Sequence, residues 1–338
     1  MKIKELQGYM TDNSIDHCIF LNNPNFFYFS QCKANGALIV SRKDSRLAMS
    51  GLDYSDDIQM KKLLWSKGKL LDFLRRQMPK AERIGIDKDN MNFKTLKMLR
   101  KSFKGATLIN LSQKCVELRM TKTDDEIEKI KKACWITEKI LGDCETRFDR
   151  YRRETEVSNF LKIQTLEHNC EVAFEPVVAS GAAASIPHHI PRGTLRKGFC
   201  VIDFGVKYQE YCADLTRTFF IGKPSKREIA LLGKVTGAQG QLLSGIKPGI
   251  RADSVYVKAK RLLGKYLTHA AGHGVGLEVH EAPLLGSNNP QKLAEGMVLS
   301  VEPAMYVARQ YGIRTEDMVV VTKKEIRLIS KPQEMIRV

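Results

Sequence analysis

Short apolar runs and longer amphipathic stretches follow one another along the first third of the chain. Residues 37–40 and 83–87 are compact apolar runs of the kind that form β-strands. Between them, residues 57–78 place leucines at helical spacing among many lysines and arginines, which predicts one amphipathic surface helix. Strands and helices that alternate in this way are typical of an α/β domain.

An aromatic cluster lies at residues 22–29, where turn-forming residues accompany three phenylalanines and a tyrosine. Such a cluster could form the lip of a binding site, but large aromatic side chains more often fill a core. We therefore expect this segment to be part of the packed interior.

The pattern changes near residues 111–119, where a second domain is predicted to begin. Thr123 and Glu126 lie three residues apart in front of a long run of apolar residues at helical spacing. This arrangement matches a capping box and predicts a long amphipathic helix.

Two strand pairs are predicted further along the second domain. Residues 199–206 and 211–221 have the pattern of a β-hairpin, and residues 297–301 and 313–322 have that of a second strand pair. Both pairs carry carboxylates, which hints at an internal duplication, although the sequence similarity between the two pairs is faint.

Chain length, the lengths of the apolar runs and the cysteine spacing limit the classes of protein to which this chain could belong. A chain of 338 residues suits two domains. No apolar stretch reaches the roughly 18–20 residues of a membrane-spanning helix, and the charged N-terminus does not have the pattern of a secretory signal. The eight scattered cysteines include no C-x-x-C pair, so we expect reduced thiols and a cytoplasmic protein.

The chain is strongly basic, with 55 basic and 38 acidic residues and a formal net charge of +17. Such a charge can attract nucleic acid or an anionic membrane. The basic residues form no long run, however, and charge alone is a weak signal. We therefore expect neither nucleic acid nor a membrane to be the main partner.

The first hairpin carries two carboxylates in apolar strands, where a charge is costly to bury. A turn centred on residues 208 and 209 would place Asp203 directly opposite Asp214, with their Cβ atoms about 4.5–5.5 Å apart. Two bare carboxylates at that distance repel, so either one is protonated or cations lie between them. Thr216 and Thr218 continue the same polar face, which favours a site over a core.

The second strand pair repeats this pattern with Glu302 and Glu316, and glycines surround His273 between the two pairs. Glycines leave an imidazole accessible. Four carboxylates and one imidazole suit divalent ions such as Mn, Co, Fe or Zn. Two candidate bridging carboxylates suit a pair of ions about 3.5–4 Å apart, as in two-metal aminopeptidases.

The residues around these positions form five motifs: VIDFG at 201–205, YCADLTRT at 211–218, GHGVGLEVHEAP at 272–283, VEP at 301–303 and GIRTED at 312–317. With them, residues 118–338 resemble the pita-bread metallopeptidases, most closely the Xaa-Pro branch of prolidase and aminopeptidase P. Residues 1–117 are similar to the N-terminal domain of that branch. The resemblance implies an α/β (α+β) protein, with a creatinase/prolidase-like domain at 1–117 and a pita-bread catalytic domain at 118–338.

The resemblance also implies a role for each ligand position. Asp203 would hold one metal ion, and Asp214 and Glu316 would bridge two ions. His273 and Glu302 would complete the second ion's ligands, and Glu302 would also carry a proton to the leaving nitrogen.

Three further residues receive roles from the same resemblance. His188 and His280 would face the substrate and hydrogen-bond the scissile carbonyl and its oxyanion. Arg314 would orient Asp214 or Glu316. His189 and His269 would support the site rather than act in it.

The implied reaction is hydrolysis of the peptide bond before proline at the N-terminus of a peptide, by attack of a metal-bridging hydroxide. A homodimer is implied as well. Dipeptidases of the branch often have an arginine after the His-Glu-x-Pro motif, to bind the free carboxylate. Leu284 occupies that position here, which favours an aminopeptidase acting on longer peptides.

Two alternatives remain open from the sequence. A methionine aminopeptidase usually lacks a separate N-terminal domain, so the first 117 residues argue against it. A non-catalytic binding or chaperone module on the same fold would fit the charge of +17, but the filled ligand positions argue against it.

Overall fold

The structure is a computed structural model, and it describes residues 2–52, 60–65, 69–332 and 336–338. The chain divides into two compact units, Met1–Leu118 and Arg119–Val338. Both units combine helices with sheets, so the predicted α/β (α+β) class is confirmed. Within the described residues, none of the helices is long and apolar enough to cross a bilayer.

The first unit is built on a six-stranded mixed sheet with strand order β4-β3-β2-β1-β5-β6. Its strands are β1 (His17–Leu21), β2 (Gly36–Ser41), β3 (Ser45–Ser50), β4 (Lys61–Trp65), β5 (Arg83–Ile86) and β6 (Thr107–Asn110). Its helices are α1 (Lys2–Asp12), α2 (Pro24–Ser30), α3 (Leu70–Gln77), α4 (Phe93–Ser102) and α5 (Ser112–Met120). The strands predicted at 37–40 and 83–87 are confirmed as β2 and β5.

The prediction of one helix over residues 57–78 is wrong. Lys61–Trp65 is instead the edge strand β4, which pairs in parallel with β3, and only Leu70–Gln77 is helical. Residues 57–59 and 66–68 lie outside the described residues. The spacing of the leucines fitted a helix, but pairing with a distant strand decides the conformation of so short an apolar run.

The aromatic segment is core, as expected. Helix α2 begins at the cap residue Asn23, whose side chain accepts a hydrogen bond from the Phe26 backbone. Phe26, Tyr28 and Phe29 are each only 3% exposed. They pack inside the first unit, so the segment does not form an open binding lip there.

The second unit begins with a long helix, as the capping box predicted. The Thr123 hydroxyl and the Glu126 carboxylate cap the first turn of α6 reciprocally. The α-helices of this unit are α6 (Asp124–Thr146), α7 (Glu154–Glu167), α8 (Lys226–Gly245) and α9 (Ala252–Leu263). Its strands are β7 (Glu171–Val172), β8 (Val177–Ser180), β9 (Gly198–Phe204), β10 (Val206–Tyr208), β11 (Tyr211–Cys212), β12 (Leu215–Ile221), β13 (Gly272–Gly274), β14 (Val298–Val301), β15 (Ala304–Val307), β16 (Tyr311–Arg314), β17 (Asp317–Val321), β18 (Ile326–Leu328) and β19 (Ile336–Arg337).

Two interrupted hairpins form the centre of the second unit. In the first hairpin β9 pairs with β12, and in the same register β10 pairs with β11. The ladder breaks at Gly205 on one arm and at residues 213–214 on the other. In the second hairpin β14 pairs with β17 and β15 with β16, and the breaks lie at residues 302–303 and 315–316. Asp214, Glu302 and Glu316 lie in these breaks, outside the regular pairing, whereas Asp203 lies within β9 just before its break.

The predicted pairing register of the first hairpin is wrong, because the turn lies one residue further along the chain than expected. The turn is centred on Gln209 and Glu210, both with positive φ (47° and 72°), as a tight hairpin turn requires. Asp203 therefore lies opposite Thr216, and Asp214 lies in the break. A turn moved by one residue shifts the pairing by two, which preserves the face on which each side chain lies.

The hairpins rest on a large apolar core that helices α8 and α9 cover. Leu232 and Val235 of α8 and Val255 of α9 belong to the same buried cluster as Leu299 and Val319 of the second hairpin. Close packing of this kind leaves little freedom in the supporting strands. The polar side chains on the opposite face of the second hairpin are therefore held on a stiff base.

Candidate metal centre

The five predicted ligand residues converge close to the breaks of the two hairpins. One ligand atom from each of Asp203, Asp214 and Glu316 lies within 4.8 Å of the others. A second group of this kind consists of Asp214, His273 and His280. Asp214 belongs to both groups, so it lies where one carboxylate could serve two neighbouring ions.

Glu302 completes the cluster from the break of the second hairpin. Its Oε1 lies 3.6 Å from Nε2 of His273, and the same imidazole nitrogen lies 3.5 Å from Oδ2 of Asp214. His273 is held on β13, where it pairs with Ser300 of β14. Strand pairing thus brings His273 to the carboxylates of both hairpins.

The electrostatics of the cluster favour bound cations. Burial, together with the nearby carboxylates of Glu316 and Asp203, raises the pKa of Asp214 well above its usual value. Burial and Glu316 do the same to the pKa of Glu302. Burial lowers the pKa of His273 to about 4, with a further contribution from His280, so this imidazole is neutral at pH 7.

The donor atoms fit divalent ions. Oδ1 of Asp203 is buried and accepts no hydrogen bond from the described part of the chain. Such an oxygen is costly to bury unless a cation or donor satisfies it. Several carboxylates and a neutral imidazole are the ligands that Mn, Co, Fe and Zn accept.

Arg314 has a different partner from the one expected. Its Nη2 forms an ion pair with Oδ2 of Asp203 rather than with Asp214 or Glu316. Its Nε donates to Thr216 Oγ1 at 2.9 Å, and its Nη1 donates to Tyr306 Oη at 2.9 Å. The direct partner is Asp203 because β16 carries Arg314 on the arm that contacts β9, a contact that only the tertiary fold creates.

Two hydroxyls hold Glu316, one from each hairpin. Thr216 Oγ1 donates to Oε2 at 2.7 Å, and the Ser300 hydroxyl donates to Oε1. The polar alternation of the first hairpin already marked Thr216. Ser300 was missed, although a serine among Val298, Leu299 and Val301 was a signal that could have found it.

His188 and His280 are exposed and both line two cavities beside the cluster. One cavity measures about 370 Å³ and the other about 630 Å³, and both reach Asp203 and Asp214. The His280 ring stands edge-on to His273, with centroids 4.4 Å apart. The two histidines therefore border the open space beside the carboxylate cluster.

His189 and His269 have partners inside the protein. Nε2 of His189 lies 2.8 Å from Oε2 of the buried Glu154. His269 contacts its own neighbour, Ala270 O, at 2.7 Å and the Tyr306 hydroxyl at 3.3 Å. Burial and Arg314 lower the pKa of His269 to about 4.

Comparison with known proteins agrees with this geometry. The family model of Metallopeptidase family M24 matches residues 128–323. The model of the Creatinase/Prolidase N-terminal domain matches residues 2–121. The two matches follow the order of the two structural units.

Whole-length relatives show the same organisation. The chain is 29% identical to a Xaa-Pro dipeptidase of Pyrococcus horikoshii, over 98% of this chain and 97% of the relative. A Xaa-Pro dipeptidase structure from Bacillus anthracis superposes with a TM-score of 0.93 at 27% identity, covering 100% of this chain and 99% of that one. An X-Pro aminopeptidase structure from Thermotoga maritima gives 0.90 at 27% identity, covering 96% and 98%.

The resemblance drawn from the motifs is thereby confirmed. The M24 match covers more than half of the chain and includes all five carboxylate and imidazole positions of the cluster. The protein belongs to metallopeptidase family M24.

Proposed function

We propose that the protein hydrolyses the peptide bond before proline at the N-terminus of peptides, with two divalent metal ions. The observation that carries the proposal is the position of Asp214, which belongs to both groups of converging ligand atoms. The Xaa-Pro specificity draws support from the relatives and structures named above. Residues 118–338 would form the catalytic domain, and 1–117 the creatinase/prolidase-like domain.

The proposed ligand set divides between two ions. Asp203 would hold one ion, and His273 and Glu302 the other, while Asp214 and Glu316 would bridge them. His280 also comes near Asp214 and His273, but it is exposed to both cavities, so we assign it to the substrate side. When bound, a pair of such ions lowers the pKa of water toward neutrality and polarises a carbonyl.

The remaining steps rest on the protein's own side chains. His188 and His280 would donate hydrogen bonds to the oxygen of the scissile carbonyl, where negative charge develops. Glu302 lines the larger cavity with 15% of its side chain exposed, so its carboxyl can reach the leaving nitrogen. Glu302, ionised as an ion ligand, would take up the proton that the attacking water loses and deliver it to the proline nitrogen, which carries no N–H of its own in the peptide bond.

We further propose a preference for peptides longer than a dipeptide. Recognition of a free carboxylate usually needs a basic side chain. Among the described lining residues of the larger cavity, Arg314 is the only arginine or lysine, and it is committed to Asp203. Leu284, at the position after the His-Glu-Ala-Pro motif, lines the same cavity and is 52% exposed.

Location and assembly also remain proposals. All eight cysteine thiols are free and buried, which suits a reducing compartment such as the cytoplasm. A homodimer is proposed from the family resemblance alone.

The proposal is tested by stripping the protein with chelator and restoring Mn, Co or Zn. Xaa-Pro dipeptides and Xaa-Pro-Yaa tripeptides are then assayed side by side. Asp214→Asn should reduce kcat/KM by more than the roughly 100-fold that an outer partner of a metal ligand costs. The control Asp125→Asn, whose side chain is 74% exposed on α6, should behave as the wild type.

Each result has a clear meaning. Metal-restored cleavage before proline that Asp214→Asn removes supports the proposal, and the ratio of tripeptide to dipeptide cleavage decides the subclass. Failure to cleave any of these substrates with any metal would favour a binding module that has kept its ligands.

A further inference from the structure

The two exposed histidines share a feature of their surroundings. Each is followed directly by a residue whose side chain is buried with a polar partner: His189, which contacts Glu154, follows His188, and Glu281, which is ion-paired with Arg119, follows His280. The partners come from remote parts of the second unit. Both histidines lie in segments without helix or strand, at 186–190 and 275–280.

Glu281 is held by two cations from the segment before α6. Its Oε1 pairs with Nη2 of Arg119, and its Oε2 lies 3.0 Å from Nζ of Lys122. The three side chains are only 5%, 8% and 2% exposed for Glu281, Arg119 and Lys122. Arg119 also reaches Glu278 of the same loop at 2.7 Å.

The backbone around Glu281 fits its carboxylate closely. Glu281 and Gly274 exchange two backbone hydrogen bonds of 2.8 and 3.0 Å, which close the loop at its base. A Cβ atom on Gly276 would lie 2.6 Å from the Glu281 carboxylate, so the loop folds directly over this group. The carboxylate therefore fixes the loop from inside.

Glu154 plays the matching part for the other histidine. Its Oε2 lies 2.8 Å from Nε2 of His189 and accepts the backbone N–H groups of Arg192 and Gly193. Its Oε1 accepts from the backbone and hydroxyl of Ser180. Glu154 is 2% exposed. One buried carboxylate therefore binds both Ser180, before His188, and residues 192–193, after it.

We propose that Glu281 with Arg119 and Lys122, and Glu154 with His189, are positioning residues that fix His280 and His188 over the metal centre. The role of the two histidines rests on the proposed function. Buried ion pairs often add little net stability compared with apolar side chains, whereas they can specify one geometry. Two loops that must present a histidine at a fixed point need such specification.

The first test is a set of double-mutant cycles with the metal-loaded enzyme. Glu281→Gln should lower kcat about tenfold or more with little change in KM, since small misplacements of a catalytic group can cost up to about 100-fold. In a His280→Ala background the same change should cost almost nothing, because its effect passes through His280. In a His188→Ala background it should keep its full effect.

Glu154→Gln is the matched control, and its loss of kcat should depend on the other histidine. Its loss of kcat should disappear in the His188→Ala background and persist in the His280→Ala background. If both losses multiply with both histidine variants, the contacts of Glu281 and Glu154 are only structural and the proposal is overturned. Should Glu281→Gln fail to fold, Arg119→Lys keeps the charge, removes the guanidinium geometry and should show the same dependence with a smaller loss.

The second test needs no activity. In the metal-free protein, Glu281→Gln should speed amide hydrogen exchange at residues 275–282 and leave residues 186–193 unchanged, and Glu154→Gln should do the reverse. Unchanged exchange in both loops would overturn the proposal. Local acceleration in a protein that cleaves no Xaa-Pro peptide would support the anchoring role while refuting the proposed function.

Discussion

The two interrupted hairpins share one plan but supply different parts of the site. The first hairpin provides Asp203 from a strand and Asp214 from a break. The second provides Glu302 and Glu316, both from its breaks, and also the cation Arg314 that pairs with Asp203. The charge of one hairpin is therefore balanced by the other, and neither could form the centre alone.

The breaks themselves are made by different chemistry. In the first hairpin, a Cβ atom on Gly205 would lie 1.9 Å from the carbonyl oxygen of Ala213, so only glycine allows the arms to approach. In the second hairpin, Pro303 removes a backbone donor from the ladder. Two different local features thus produce a similar break in each hairpin.

Removal of Arg314 is the strongest test of this balance. Arg314→Met leaves Asp203 buried beside other carboxylates, and the free energy of unfolding of the metal-free protein should fall by roughly 3–5 kcal/mol. Lys131→Met breaks an exposed pair with Glu128 and should cost less than about 1 kcal/mol. Denaturant unfolding in chelator measures both, and equal losses would show that the hairpins do not share their charge.

Glu316 accepts a hydrogen bond from one hydroxyl of each hairpin, so the contributions of the two hairpins can be compared at this residue. Thr216→Val and Ser300→Ala should each weaken metal binding by roughly 10–100-fold, as loss of an outer partner does. The loss should be larger for Thr216, because its hydroxyl also accepts from Arg314. Calorimetric titration with Mn measures the affinities, with Thr165→Val, a buried threonine of α7, as the control. Equal or reversed losses would contradict the asymmetry.

The smallest expected effect is the pH dependence of metal binding. Burial, with Glu316 nearby, raises the pKa of Asp214 and of Glu302 in the metal-free protein, one carboxyl in each hairpin. A metal ion needs both ionised, so binding releases protons and the affinity falls as the pH is lowered below these raised pKa values. The fall should be at most about tenfold per pH unit for each proton released.

Calorimetry in buffers of different ionisation enthalpy counts these protons. Asp214→Asn and Glu302→Gln should each reduce the number released. A variant that releases as many protons as the wild type would show that its hairpin does not contribute a protonated carboxyl.

Local sequence signals predicted much of the second unit correctly. The capping box at Thr123 and Glu126 begins α6. Apolar runs marked most strands, and carboxylates within those runs marked the residues that converge. These features depend on neighbours in the chain, so the sequence by itself was sufficient to find them.

Other features depended on contacts that no local pattern contains. The turn at residues 209–210 moved Asp203 opposite Thr216, and pairing with β3 made a strand where the spacing predicted a helix. Several strand pairings are compatible with the local sequence, and the packing of the whole chain selects one of them.

The chain's residues alone thus determined the family, the fold class and the donor chemistry, because motifs and periodicity are carried by neighbouring positions. Only the tertiary structure decided that Arg314 balances Asp203, that Ser300 holds Glu316, and that Arg119 and Lys122 pair with Glu281. The partners in the first and last of these contacts are separated by more than 100 residues. Such pairings arise because burial leaves a charged group few partners, and which partner is near depends on how the strands pack.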